Sequence, residues 1–214
     1  MNYTINNIMK NILFILNFLL CTVGAFAQTH DLSPDEINAF KVQCQERIDA
    51  FQLGLEIIGA KDQPAEIKMQ YITTIPEMFM GEGEAYTDAN GQRHNAVKMQ
   101  VSSINKSTGE FDVKDVPLKD YLNRLRNLPY TFVEIKKANT CMISNLYKVR
   151  DNLYMGTCTF YQFFTGKTGD AIVYKDYSQK DVDVYISRVD DGSIGSYWDM
   201  KFGDINVTET RRER

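Results

Sequence analysis

The sequence predicts an α+β fold in which three N-terminal helices pack on a strongly curved antiparallel sheet. Two stretches, 33–59 and 118–128, carry apolar residues at spacings of three and four, which is typical of helices with one buried face. From Tyr130 onward, apolar and polar residues alternate over long runs that short turn sequences separate, which is typical of antiparallel strands. Because most of the helical pattern precedes the long strands, we expect the helices to form a layer on one face of the sheet.

The first predicted helix begins at Ser33, since Ser33 and Glu36 have the spacing of a capping box. It ends near Gly59, and an apolar face of this length needs a broad partner such as a sheet. A shorter second helix follows Pro64, and Pro76 ends or bends it. The third helix, 118–128, leads directly into the strand that begins at Tyr130.

The first 27 residues are predicted to be a secretory signal peptide. Lys10 precedes an apolar run at 12–23, and an Ala-Phe-Ala sequence ending at Ala27 is typical of a cleavage site. An uncleaved anchor is the alternative, although the run is short for a membrane span. We therefore expect an exported protein, periplasmic or extracellular and without a membrane span after cleavage, with one domain at 28–210 and a disordered charged tail at 211–214.

Composition excludes several classes of function. The net charge is −4 and no long basic stretch is present, so nucleic acid and anionic membranes are poor candidate partners. The chain has two histidines, His30 and His94, and no C-x-x-C pair, so we expect neither a metal nor a cofactor. A Gly-Lys-Thr triplet at 166–168 lacks the other residues of a phosphate-binding loop.

Three cysteines, Cys44, Cys141 and Cys158, follow the predicted cleavage point. If 151–152 is a two-residue hairpin loop, Cys158 faces Asn145, and Cys141 lies roughly 13 Å farther along the strand. A disulfide needs Cα atoms within about 7 Å, so this register argues against a bond between Cys141 and Cys158. We expect all three to be small buried apolar residues, and their oxidation state stays open.

The hairpin from Tyr130 to Phe164 has two predicted faces. The face toward the helices supplies five candidates for the lining of a ligand pocket: Asn145, Tyr147, Tyr154, Phe160 and Gln162. Polar groups on a buried face need partners or line a cavity. The opposite face is more apolar than a solvated sheet face usually is. It supplies five candidates for an interface with a protein partner or a second copy of the chain: Met142, Leu146, Met155, Tyr161 and Phe163.

The order of elements resembles the nuclear transport factor 2-like superfamily, also called the cystatin-like cone. The resemblance is carried by the capped helix from Ser33, the 118–128 helix, the hairpin around 151–152 and the closing segment 197–205. It implies an exported bacterial member in which a strongly bent sheet wraps helices and leaves a conical pocket. The superfamily includes ketosteroid isomerases and scytalone dehydratases, which place an Asp or His base and Tyr donors in the cone. Many other members are binding or assembly modules.

Two functions are therefore open. The first is a non-enzymatic binding or assembly domain that uses the cone pocket or the exposed sheet face, with a protein partner, a second copy or a small apolar ligand. We favour it because the sequence shows no catalytic cluster. The alternative is an isomerase- or dehydratase-like enzyme with Asp183 or Asp199 as its base, while His94 lies beside a turn. No catalytic residue of the superfamily can be matched to a position of this chain.

Overall fold

The computed structural model describes residues 31–88, 91–105, 107–138 and 141–212, so the predicted signal peptide lies outside the described residues. The described residues form three α-helices, α1 (Pro34–Gly59), α2 (Ala65–Thr74) and α3 (Leu118–Arg126), and two 3₁₀ turns, Ile75–Met78 and Met80–Gly83. Their strands are β1 (Tyr86–Thr87), β2 (Arg93–His94), β3 (Lys98–Ile104), β4 (Phe111–Pro117), β5 (Phe132–Lys137), β6 (Met142–Ile143), β7 (Tyr147–Arg150), β8 (Leu153–Thr168), β9 (Ala171–Asp191) and β10 (Gly195–Arg212).

The large sheet has the strand order β4-β3-β10-β9-β8-β5, with β6 and β7 also paired to β8, while β1 and β2 form a separate ribbon. Helices α1 and α3 pack on this curved sheet, which confirms the predicted α+β fold. The sheet is mixed, however, because β10 pairs with β3 in parallel at Ile205 and Met99. Both side chains are fully buried, so this parallel contact is part of the core.

Helix α1 begins with the predicted capping box. The Ser33 amide donates to Glu36 Oε2 at 2.8 Å, and the Glu36 amide donates to Ser33 Oγ at 3.3 Å. In the middle of α1, the Phe51 ring lies 5.5 Å from that of Phe79 and 6.2 Å from that of Phe160 on β8. These edge-on contacts join the helix to the centre of the sheet. Among the described residues, no helix has both the length and the apolar character that crossing a membrane requires.

The contacts divide the described chain into a main body, 31–188 and 198–212, and the tip of the β9–β10 hairpin, 189–197. In the tip, Asp191 Oδ1 accepts hydrogen bonds from the amides of Ser193 at 2.8 Å and Ile194 at 3.2 Å. Gly195 has a φ of 88°, which favours glycine. These local bonds stabilise the turn that the Asp191-Gly192 sequence predicts.

The strand predicted before the 151–152 turn is divided into β5, β6 and β7, and the register changes between them. Next to the turn, Arg150 opposes Leu153 as predicted, but a bulge between Lys148 and Arg150 shifts the register of the rest of β7. Farther along, Ile143 opposes Cys158 and Ile135 opposes Phe164 instead of the partners that the turn alone predicts. Bulges insert unpaired residues into one strand, so the register set at a turn does not extend past them.

The predicted separation of Cys141 from Cys158 is wrong for this reason. The residue opposite Cys158 is Ile143 instead of Asn145, which brings Cys141 two residues closer along the strand. The thiols of Cys141 and Cys158 lie close enough that each shifts the pKa of the other. All three cysteines of the described chain, including Cys44, are buried, as predicted.

Strand β10 is longer than the sequence predicts. The Gly203-Asp204 sequence is typical of a turn, but no turn forms there, because β10 is continuous from Gly195 to Arg212. The glycine serves a close packing contact: a Cβ on Gly203 would lie 2.5 Å from Cε2 of Tyr185. Two residues of the predicted disordered tail, 211–212, belong to this strand, and 213–214 lie outside the described residues.

Substitution of Phe160 by alanine tests whether this side chain fills the core or lines an open pocket. Phe160 is fully buried against Phe51, so we expect Phe160→Ala to lower the free energy of unfolding by about 3–5 kcal/mol. Urea unfolding followed by circular dichroism measures this loss. Phe163→Ala is the matched control, since Phe163 is a half-buried residue on the other face of β8. Equal losses in the two variants would show that Phe160 is not a core residue.

Candidate functional site

The inner face of the sheet, which packs against the helices, changes from apolar to polar along β8 and β9. Even-numbered residues are buried from Tyr154 to Gln162 on β8 and from Asp176 to Ile186 on β9. Near β7 these residues are apolar. Toward the β8–β9 turn they are replaced by four buried polar residues, which we call the polar cluster: Gln162, Asp176, Ser178 and Lys180.

Strand pairing brings the four residues of the polar cluster together. Gln162 lies directly opposite Ser178, and its two diagonal neighbours on β9 are Asp176 and Lys180. Diagonal neighbours have Cα atoms about 7–8 Å apart, within reach of long side chains. Gln162 is 3% exposed, and its Nε2 makes no hydrogen bond within the described part of the chain. A buried donor is therefore available at the centre of the cluster.

Asp176 is the electrostatic centre of the cluster. Tyr174 Oη donates a 2.6 Å hydrogen bond to Asp176 Oδ2. Burial raises the pKa of Asp176, and this hydrogen bond and the charge of Lys180 oppose the rise. Desolvation and then the negative charge of Asp176 raise the pKa of Tyr121, on α3, and of Tyr130. One phenol group, that of Tyr174, thus contacts the carboxylate, and those of Tyr121 and Tyr130 lie near enough to be affected by its charge.

Lys180 carries the second buried charge. It is 6% exposed, and burial lowers the pKa of its amine to about 8, with Asp176 partly offsetting this effect. An amine of this pKa changes charge close to neutral pH, so it acts both as a cationic donor and as a neutral amine. The cluster therefore combines donors on Gln162, Ser178 and Lys180 with an acceptor on Asp176.

Helix α1 adds further unpaired polar atoms on the helix side of the core. Gln52 is 3% exposed, and neither its Oε1 nor its Nε2 has a hydrogen-bond partner in the described chain. Gln52 follows Phe51 on α1. The Phe51 ring packs on Phe160, which precedes Gln162 by two residues on β8. An unpaired buried polar group costs about 1–3 kcal/mol, so these amides are unusual in a packed core.

Three of the five predicted pocket residues lie on the inner face, but only Gln162 belongs to the polar cluster. Tyr154 Oη accepts a 3.1 Å hydrogen bond from the Leu32 amide, and its ring contacts Trp198. Phe160 fills the core beside Phe51. These two side chains already have partners within the protein, so they belong to the core and do not line the candidate site.

The inner-face assignment of Asn145 and Tyr147 is wrong. Both are exposed, and Tyr147 opposes Met155 on the outer face of β8. Leu146, predicted on the outer face, instead packs against the core beside Gly156. The cause is the bulge between Lys148 and Arg150, since a slip of one residue moves each side chain that follows to the other face.

The other interface candidates lie on the outer face. Met142 is 57% exposed, and Met155, Tyr161 and Phe163 are half-buried. The rings of Tyr161 and Phe163 both contact Tyr177 on β9, at centroid distances of 5.8 and 4.9 Å. These three aromatic side chains contact one another and cover part of the outer face.

The predicted catalytic bases lie elsewhere. Asp183 is on the outer face opposite Thr157, and burial followed by the charges of neighbouring acids raises its pKa. Asp199 Oδ1 lies 3.7 Å from Arg47 Nη2, in an ion pair. His94 Nε2 lies 3.2 Å from Asp88 Oδ2, and its ring stacks on Tyr86. None of the three belongs to the polar cluster.

Sequence reasoning missed Asp176 and Lys180. Both are even-numbered, like Val182 and Val184, which the alternation places on one face of β9. Extending this alternation toward the β8–β9 turn would have predicted two inward charges. In the ranges that the structure describes, no group of three or more His, Cys, Asp or Glu side chains is arranged to hold a metal ion.

A surface groove of about 490 Å³ runs beside α3, lined by Asp120, Asn123, Arg124, Asn127, Leu128 and Pro129. Most of these residues are exposed, and none belongs to the polar cluster. Arg124 supplies a positive charge there and Asp120 a negative one. The groove lacks the buried, unpaired groups that distinguish the inner face, so we place the candidate site at the polar cluster.

Comparisons with protein-family models and with curated proteins find no match. Among solved structures, the chain is similar to one described as "Putative Scytalone Dehydratase" from Novosphingobium aromaticivorans DSM 12444. The sequence identity is 9%, the alignment covers 84% of this chain and 92% of the other, and the TM-score is 0.40. A likeness this low carries no argument about function, which therefore rests on the residues of this chain.

Replacement of Lys180 by methionine tests the buried amine through the pH dependence of stability. The pKa of Lys180 in the folded state, about 8, lies below its ordinary value of 10.5. The unfolded chain therefore binds more protons between pH 8 and 10, and the contribution of Lys180 to stability rises with pH there, by at most about 1.4 kcal/mol per unit. We expect Lys180→Met to remove this rise in urea unfolding. Parallel pH profiles for the two proteins would contradict the assignment.

Proposed function

We propose that the protein is a non-enzymatic binding domain that holds a small polar ligand at the polar cluster on the inner sheet face. The observation that carries this proposal is Gln162 Nε2, a buried donor without a partner in the described chain, between Asp176 and Lys180. A ligand that supplies an acceptor at this point offsets a cost of about 1–3 kcal/mol. The cluster favours a polar ligand over the apolar one that the sequence predicts, because apolar atoms leave these groups unpaired.

The charges and hydrogen-bonding groups of the polar cluster indicate which chemical groups a ligand needs. Gln162, Ser178 and Lys180 donate hydrogen bonds to a carbonyl oxygen, whereas the Asp176 carboxylate accepts one. A carboxylate ligand would meet the repulsion of Asp176 beside the attraction of Lys180. A neutral group with adjacent acceptor and donor, such as a primary carboxamide, matches both. The surrounding phenol rings favour an aromatic or otherwise flat body.

Export, a homodimer and a protein partner on the outer face stay predictions of the sequence. The outer-face aromatic residues Tyr161 and Phe163 contact Tyr177 of the same chain, and Met142 is the most exposed of the predicted interface residues. The inner face supports the proposal better, because its buried donor has no partner within the described chain.

Benzamide is the probe that tests the proposed binding site. At about ten times its Kd, a ligand that binds only the folded state stabilises it by about 1.4 kcal/mol, or roughly 2 °C or more in Tm for a chain of this size. We expect benzamide to raise the Tm and benzoate to raise it less, because of Asp176. Gln162→Leu should lose the response to benzamide.

Gln179→Leu is the matched control, since Gln179 lies on the outer side of β9 beside the cluster residues Ser178 and Lys180. It should respond to benzamide as the natural sequence does. A benzamide response that is unchanged in Gln162→Leu, or absent from the natural sequence at millimolar concentrations, would overturn the proposed site.

One observation favours an enzyme as the second candidate. The Asp176 carboxylate lies within 2.6 Å of the Tyr174 hydroxyl on the inner face, and burial raises the pKa of Asp176. A carboxylate with a raised pKa beside a phenol donor is suited to removing a proton from the carbon next to a carbonyl group.

Proton exchange in D2O separates this second candidate from simple binding. If Asp176 acts as a base, the protein should speed deuterium uptake at the α-carbon of cyclohexanone, followed by proton NMR. Asp176→Asn should then lose about 100-fold or more of that rate. Asp181→Asn is the control, since Asp181 accepts a hydrogen bond from Thr159 on the outer face. Exchange at the rate of the buffer alone would exclude this chemistry for the probe.

A further inference from the structure

Three buried cysteines lie in the same part of the core. Cys44 projects from α1, Cys158 lies on the inner face of β8, and Cys141 precedes β6. The thiols of Cys44 and Cys141 lie close enough to that of Cys158 to raise its pKa. Cys141 Sγ donates to Oε1 of Gln45, the neighbour of Cys44, at 2.9 Å. The sheet register places Cys141 near Cys158, and this hydrogen bond independently places Cys141 beside the residue that follows Cys44.

The three thiols differ in exposure and in the element that carries them. Cys141 is 7% exposed, whereas Cys44 is 1% and Cys158 is 0% exposed. Cys44 lies within α1 and Cys158 within the paired strand β8, but Cys141 lies just outside the short strand β6. Cys141 is therefore the most accessible of the three to a reagent in solution.

The neighbouring thiols also distinguish the acidities of Cys141 and Cys158. The Cys158 thiol lowers the pKa of Cys141, and this effect outweighs burial and the Asp49 charge, which raise it. The thiols of Cys141 and Cys44 and burial raise the pKa of Cys158. Of these two thiols, Cys141 therefore forms the thiolate more readily, and the thiolate is the nucleophile in disulfide exchange.

We propose that Cys141 and Cys158 form a redox modification site, in which Cys141 attacks a small-molecule disulfide and Cys158 then closes an intramolecular disulfide. With Ile143 opposite Cys158, Cys141 is a diagonal neighbour of Cys158, whose Cα separation of about 7–8 Å lies just above the disulfide range. A small shift of Cys141 toward β8 closes this gap. Cys44 stays reduced because its helix holds it in place.

The reaction needs an oxidant of the disulfide class, such as oxidised glutathione. The Cys141 thiolate attacks one sulfur of the oxidant, which breaks its sulfur–sulfur bond and releases one glutathione thiol. Cys158 then loses its proton and attacks Cys141 Sγ, which releases the second glutathione. Two protein thiols are oxidised, one disulfide is reduced, and the two protons leave on the two glutathione molecules.

Peptide mapping tests the proposed bond. The full chain is equilibrated with oxidised glutathione, remaining thiols are alkylated, and tryptic peptides are identified by mass spectrometry. Cleavage after lysine and arginine places Cys44 in 42–47, Cys141 in 138–148 and Cys158 in 151–167, while Cys21 lies in 11–41. We expect 138–148 linked to 151–167 and the Cys44 peptide alkylated. Three alkylated peptides, or a link that includes Cys44, would overturn the proposal.

Two matched variants show which thiols form the bond. Cys44→Ala should keep the bond between Cys141 and Cys158, whereas Cys141→Ala should remove it and leave Cys158 alkylated. Circular dichroism confirms that each variant folds. As a second measurement, oxidation should raise the Tm of the natural sequence and of Cys44→Ala by several degrees but not that of Cys141→Ala, because the bond constrains the unfolded chain. Equal shifts in all three proteins would contradict the site.

Discussion

The inward direction of the even-numbered residues on β8 and β9 is the constraint on which the rest of the structure depends. Phe160 on β8 packs edge-on against Phe51 of α1, and Val182 and Val184 on β9 are fully buried beside it. A slip of one residue would turn all of these side chains toward solvent. The packing of α1 therefore holds the register of two long strands, and the register determines every other inward residue.

The polar cluster is a consequence of that register and is costly to the fold. Asp176 and Lys180 point inward because, like Val182, they are even-numbered residues of β9. Burying two charges is unfavourable unless they are well paired, and Tyr174 supplies one strong hydrogen bond to the acid. Gln162 lacks a partner within the described chain. Such exceptions to core packing are concentrated at functional sites, which agrees with the proposed role of this face.

The same register explains why the thiol cluster forms at a break in the sheet. Between β5 and β7 the pairing with β8 is interrupted twice, and each interruption changes which residue lies opposite. Cys141 enters the contact with Cys158 through one of these changes. Irregular segments of a strand have fewer ladder hydrogen bonds, so they move more readily than β8 itself. The proposed redox pair therefore joins a residue outside the regular strands, Cys141, to one within the long strand β8, Cys158.

The sequence by itself determined the capped helix α1, the turn at 151–152 and the alternation of β8, because each depends on contacts within a few residues. It also indicated the inward position of Gln162. Only the tertiary structure decided the register beyond β7, the outward direction of Tyr147 and the grouping of Asp176 with Gln162. Bulges and cross-strand neighbours are selected by long-range burial, which a turn sequence does not encode.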